Sequence, residues 1–217
     1  MKILKIVLWI PIAFLAYMVY SSVMDPIKFG EEKQTRYTDA IGNLIDVRKS
    51  ELAYRSVNGK FTNNWDKLVE FVDSAHFTLI SRRDTSYMAY DEVYRMDRLK
   101  EEIIIDTLGT VPVKDSLFKS SVSYKTMMNV PHTDGMKFEL KTSVINKNGM
   151  NVPVFVARVK KADLLNGMEP QLVQEAVDAF DVKGEYLQVG DIEASNVSGN
   201  WPKTYEPGFK EGKSKKK

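Results

Sequence analysis

His76 and His132 are the only imidazoles in a 217-residue chain that contains no cysteine. Histidine and thiolate chemistry therefore has few places to be built. His132 stands in "PHTDG" (131–135), two residues before Asp134, where Pro and Gly predict a turn. A metal site needs three or four converging ligands, and no ligand spacing supplies them. His76 precedes a predicted strand and invites the same reading. "VSGNW" (197–201) lacks the first glycine of a G-x-S-x-G elbow, so Ser198 is not presented as a nucleophile. No glycine-rich phosphate loop is present. The expectation is a non-enzymatic chain without a cofactor, and with no catalytic, cofactor-binding or metal residue. One charged cluster stands out: "RRDTSY" (82–87) sets Arg82 and Arg83 beside Asp84. Such guanidinium groups could contact an anion or pair with a carboxylate.

The elements that must carry these residues begin with an apolar run. Ile6–Met24 holds 19 residues without a charge, flanked by Lys2 and Lys5 before it and Asp25 after it. At about 1.5 Å per residue, a helix of that length matches the roughly 30 Å hydrocarbon core of a bilayer. Trp9, Tyr17 and Tyr20 near its ends fit interfacial belts. The reading is a transmembrane signal anchor at 6–24 behind a cytoplasmic N-terminus at 1–5. The domain at 25–206 is then placed in the periplasm, on the inner (cytoplasmic) membrane. Val19-Tyr20-Ser21 also forms a small-residue cleavage pattern, and the alternative is a soluble periplasmic protein after signal removal. Pro26 is expected to separate the span from the domain behind it.

Hydrophobic residues make up 43% and charged residues 28%, which marks a globular chain and not a disordered one. The formal net charge is +2, but residues 207–217 alone hold five Lys against one Glu. Residues 6–206 are therefore mildly acidic, which argues against nucleic acid as a partner. Residues 207–217 read as a disordered Lys-rich tail. The absence of cysteine excludes a disulfide framework.

Periodicity supplies the rest. Residues 31–58 predict an amphipathic helix, with Tyr37, Ala40, Ile41, Leu44, Val47 and Leu52 near one stripe and Gly59 as its stop. Asn63 or Asn64 can cap a short helix whose apolar face is Trp65, Leu68, Val69 and Val72. Segments 77–81 and 102–107 predict strands, and 87–100 fits either strand or helix. "MKFELKTSV" (136–144), the "NKNGM" turn and "NVPVFVARV" (151–159) predict an antiparallel hairpin with Phe138 and Phe155 buried. Glu169-Pro170 opens a helix with Leu172, Val173, Ala176, Val177 and Phe180 on one stripe, and 184–191 predicts a last strand. The fold class is α+β: a transmembrane helix, an amphipathic helix, then a mainly antiparallel sheet with a helix near 170–180.

Two resemblances rest on particular stretches. The apolar run followed by "LAYRSVNGKFT" (52–62) is similar to type IV pilins and pseudopilins, which implies a pilin-like assembly subunit. Pilins carry a Gly before the run and a Glu five residues into it; here Lys5 precedes it and Ile6–Met24 holds no acid. "YRSVNGKFTNNWDKLVEFV", "SRRDTSY", "IDTLGTVPVKDSLF" and "SGNWPKTY" resemble a group of uncharacterised single-span envelope proteins of Bacteroidota. That resemblance implies an envelope compartment. It also implies that "DTL" (106–108) and "DSL" (115–117) match an O-glycosylation acceptor pattern at Thr107 and Ser116. The expected role is structural or protein-interacting, with an envelope protein as partner. The alternative is a periplasmic domain binding cell-wall glycan or a small anion.

Overall fold

The computed structural model describes residues 2–119 and 121–209, with side chains from Pro11 onward. A single helix, α1 (Lys2–Asn58), runs at about 1.5 Å per residue for roughly 85 Å. After it come α2 (Trp65–Ser74), the long strands β1 (His76–Asp91) and β2 (Met96–Pro112), and α3 (Val113–Phe118). Strands β3 (Glu139–Lys147) and β4 (Met150–Lys160) come next, then α4 (Lys161–Leu164), α5 (Pro170–Asp178) and β5 (Tyr186–Gly190). All pairing between these strands is antiparallel, in a two-stranded sheet β1-β2 and a three-stranded sheet β3-β4-β5. The α+β class with antiparallel sheets is as read from the sequence.

The transmembrane part of that reading is corrected. Among the described residues, no helix is long and apolar enough to cross a membrane. The part of the run whose side chains are described, residues 11–24, makes about 21 Å of helix before Asp25 and Lys28 interrupt it. Residues 6–10 of the expected span, and the N-terminus at 1–5, fall where side chains are not described. Pro26 does not end the helix either, since α1 passes through both Pro11 and Pro26. Proline removes one N–H, so the carbonyl four residues earlier loses its donor. That carbonyl belongs to Ser22, an exposed residue, where water can replace the missing bond. The expected Lys-rich tail lies, from residue 210 on, outside the described residues.

The core forms where the second half of α1 lies across the three-stranded sheet. Tyr37, Ala40, Ile41, Leu44 and Val47 are fully buried, together with Leu187 and Val189 of β5 and Phe155 and Ala157 of β4. Leu52, read as part of this stripe, is instead exposed. At 100° per residue it lies about 140° away from Val47, and the inward position near it is taken by Glu51. Gly59 stops α1 with φ +73°, its N–H bonding the Arg55 carbonyl at 2.8 Å. Asn64 caps α2 by accepting from the backbone of Asp66 and Lys67.

The β3–β4 hairpin turns at Asn148 and Gly149, both at positive φ, as a two-residue hairpin turn requires. Phe138 and Phe155 are buried, and the Phe155 ring lies 4.7 Å from that of Phe61. The wet face carries Glu139. Hydrogen bonds from Arg158 (2.6 Å) and Lys141 hold its carboxyl down to about 2. The apolar stripe expected on the 170–180 helix breaks at its end. The helix stops at Asp178, Ala179 is extended, and Phe180 swings out to 97% exposure.

Candidate interaction surface

Segment 87–100, ambiguous in sequence, is strand at both ends and joins 77–81 to 102–107 in one continuous hairpin. At about 3.3 Å per residue, β1 reaches roughly 50 Å. The tip is closed by Asp91, whose Oδ1 accepts from the backbone N–H groups of Val93 (2.9 Å) and Tyr94 (3.3 Å), while Arg95 takes φ 52°. The base is held to the body by the Val113 N–H to Ala75 carbonyl bond at 2.9 Å, and Phe77 packs on the core. Between base and tip, no third strand and no helix among the described residues covers the ribbon.

Its two faces differ, because residues opposite each other in the register share a face. One face carries the pairs Ile80–Thr107, Arg82–Ile105, Asp84–Ile103, Ser86–Glu101, Met88–Leu99 and Tyr90–Asp97. Ile80, Met88, Tyr90, Leu99, Ile103 and Ile105 on it are each 47–64% exposed. The other face pairs Ser81–Asp106, Arg83–Ile104, Thr85–Glu102, Tyr87–Lys100 and Ala89–Arg98, and is mostly polar. An isolated two-stranded hairpin is marginal in water, and both of its edges expose unpaired backbone groups. A ribbon of this length with an apolar face is therefore a surface in want of a neighbour.

The residues singled out from the sequence lie apart from one another. Arg82 and Arg83 lie on opposite faces of β1 and each has a carboxylate nearby. Arg82 Nε is 3.6 Å from Asp84, and Arg83 Nη2 is 2.8 Å from Asp106 across the ribbon. Thr107 sits exposed on β2 and Ser116 exposed on α3, so both hydroxyls are accessible and are not brought together. His76 opens β1, exposed. His132 reaches back to α1, its Nε2 lying 2.7 Å from Asp39 Oδ2 in an exposed pair. Among the described residues no group of three His, Cys, Asp or Glu side chains is placed to hold a metal ion. Ser198 is part of the segment that flanks β5, its carbonyl accepting from the Gly190 N–H.

Three buried polar groups gave no signal in the sequence. Glu51 on α1 is fully buried; its Oε2 accepts from the Thr62 N–H at 3.2 Å and its Oε1 has no partner among the described residues. Burial pushes its carboxyl up to about 8, partly offset by the Thr62 bond. Lys161 is buried where its Nζ donates to the carbonyls of Val177 (3.0 Å) and Val182 (2.7 Å), and burial lowers its pKa. The Tyr37 hydroxyl is buried beside the Tyr205 ring, likewise without a partner among the described residues. Glu51 and Lys161 each tie one segment of the chain to another, and none of the three lines the best-formed depression. That depression, about 790 Å³, is a broad open groove beside α5 bordered by Leu165, Met168, Val173, Phe180 and Lys183. A second apolar surface is the stretch of α1 between Ile12 and Ile27, largely exposed. No family model, no curated protein and no solved structure matches this chain.

Proposed function

We propose that this chain is a non-enzymatic structural or protein-interaction component of the cell envelope, and that the β1–β2 ribbon is its docking element. The observation that carries the reading is the ribbon face that exposes Ile80, Met88, Tyr90, Leu99, Ile103 and Ile105 among polar residues, ordered in pairing yet uncovered along its length. The envelope setting rests on the sequence resemblance. A ligand-binding or catalytic domain would instead concentrate convergent polar groups in an enclosed pocket. The best-formed depression among the described residues is open and its rim is mixed.

The test is site-specific photo-crosslinking in intact cells, with the probe placed at Leu99 or Ile105 on the apolar face, and at Lys125 on the body as a control. Protein adducts at the two ribbon positions and none at Lys125 support docking by the ribbon. Equal yields at all three positions, or loss of no function when residues 80–107 are replaced by a short turn, refute it.

A further inference from the structure

The two edges of the ribbon are not equivalent, and the difference points to what covers one of them. β2 carries the devices that discourage edge pairing. Lys100 is followed by the like charges Glu101 and Glu102, Leu108 is an extra residue opposite the Leu79–Ile80 step, and Pro112 closes the strand. β1 also carries charges, Arg82, Arg83 and Asp84, but they are of both signs and centred on the strand, so they can match a copy of themselves. From His76 to Asp91 it contains no Pro, no Lys and no bulged residue.

Resting on the reading of the ribbon as a docking element, we propose that the open edge of β1 pairs with β1 of a second copy of this chain. The pairing is antiparallel about a two-fold axis at Arg83 and yields a four-stranded sheet β2-β1-β1-β2. A two-fold axis normal to the sheet keeps each face on its own side, so opposed residues must have the same parity. Centring on Arg83 sets Arg82 against the second copy's Asp84, and the reciprocal contact repeats it. Leu79 meets the second copy's Tyr87, and Ser81 meets its Thr85. The two Arg83 side chains face each other at the axis, but each is already matched by Asp106 at 2.8 Å.

Neighbouring centres do worse. An axis at Arg82 brings no opposite charges together, setting Asp84 against Ile80 and Arg83 against Ser81. An axis at Asp84 opposes two aspartates, and one at Thr85 sets no charge against its opposite. Arg83 is also at the middle of β1, so this register runs from His76 against Tyr90 to Tyr90 against His76 and uses nearly the whole strand. It lays the exposed tip residues Val93 and Tyr94 of each ribbon alongside the base of the other.

The chain's lack of cysteine makes the register directly testable. Arg83→Cys in the full chain places two thiols across the axis with Cα atoms about 4.5–5.5 Å apart, within disulfide reach. Met88→Cys places its two thiols ten residue steps apart, about 33 Å. Under mild oxidation, in expressing cells and after purification, Arg83→Cys should form a reducible dimer and Met88→Cys alone should not. Thr78→Cys combined with Met88→Cys should restore the dimer, since those positions oppose each other. All three substitutions are on the exposed ribbon, and unchanged circular dichroism checks the fold. Light scattering should give twice the chain mass for the unmodified protein. A monomer at every concentration, or crosslinking at 88 as fast as at 83, overturns the self-pairing. Neither result touches the crosslinking map by which the docking reading stands or falls.

Discussion

Glu51 offers the sharpest test of the packing between α1 and the loop after it. Its carboxyl is fully buried, keeps one bond to the Thr62 N–H, and is pushed from 4.5 up to about 8. The folded state therefore holds a proton that the unfolded chain releases above about pH 4.5. With the folded pKa raised, the contribution to stability is whole below the unfolded value, declines as pH rises between about 4.5 and 8, and is level above that. Each pKa unit corresponds to about 1.4 kcal/mol, so the decline between pH 5 and pH 8 is about 3 kcal/mol. Glu51→Gln keeps an acceptor for Thr62 and cannot ionise. The variant should match the parent near pH 5 and exceed it by about 3 kcal/mol at pH 8. Urea melts at both pH values measure this. At an m-value of about 2 kcal/mol/M, the midpoint gap should open by about 1.5 M. Other titrating groups are common to both proteins and cancel in the difference. A midpoint gap that is the same at pH 5 and pH 8 would refute the account, because a constant offset reports packing and not a bound proton.

Other positions separate core from surface. Phe155→Ala should cost about 3–5 kcal/mol in denaturant melts, since the ring is buried against Phe61. Lys141→Ala should stay within about 0.5 kcal/mol, because its pairing with Glu139 is exposed; equal losses at both sites would mean the hairpin register is wrong. Gly190→Ala should cost at least about 2 kcal/mol. Gly190 has φ +79° and an added Cβ would come within 2.2 Å of the Phe155 carbonyl oxygen, so an unchanged thermal midpoint contradicts that geometry. Ile41→Asp should unfold or destabilise the chain by several kcal/mol. If it left the melt unchanged and altered only assembly, that face of α1 would be an interface and not core.

What could be read in the sequence is what short-range rules control. The stripe Tyr37-Ala40-Ile41-Leu44-Val47, the Asn64 cap and the Asn148-Gly149 hairpin each depend on neighbours within a few turns of chain, and each is found where periodicity and turn chemistry place it. The misses arise where a distant part of the chain, or water, decides. Leu52 and Phe180 are apolar residues at the margin of a stripe, and the body happens to end before it reaches them. Pro26 signals a break only if the orphaned carbonyl has no other partner, and exposure at Ser22 supplies one. Segment 87–100 could not be assigned because a ribbon wet on both faces lacks the strict alternation that a half-buried strand imprints. That same lack of imprint carries a functional implication. Natural edges are selected against pairing; β2 has Lys100, Glu101, Glu102 and the Leu108 bulge, whereas β1 has no bulge, Lys or Pro and its charges Arg82, Arg83 and Asp84 are of both signs. An edge open over about 50 Å, without bulge or Pro and with mixed charges at its centre, is what the proposed self-pairing requires.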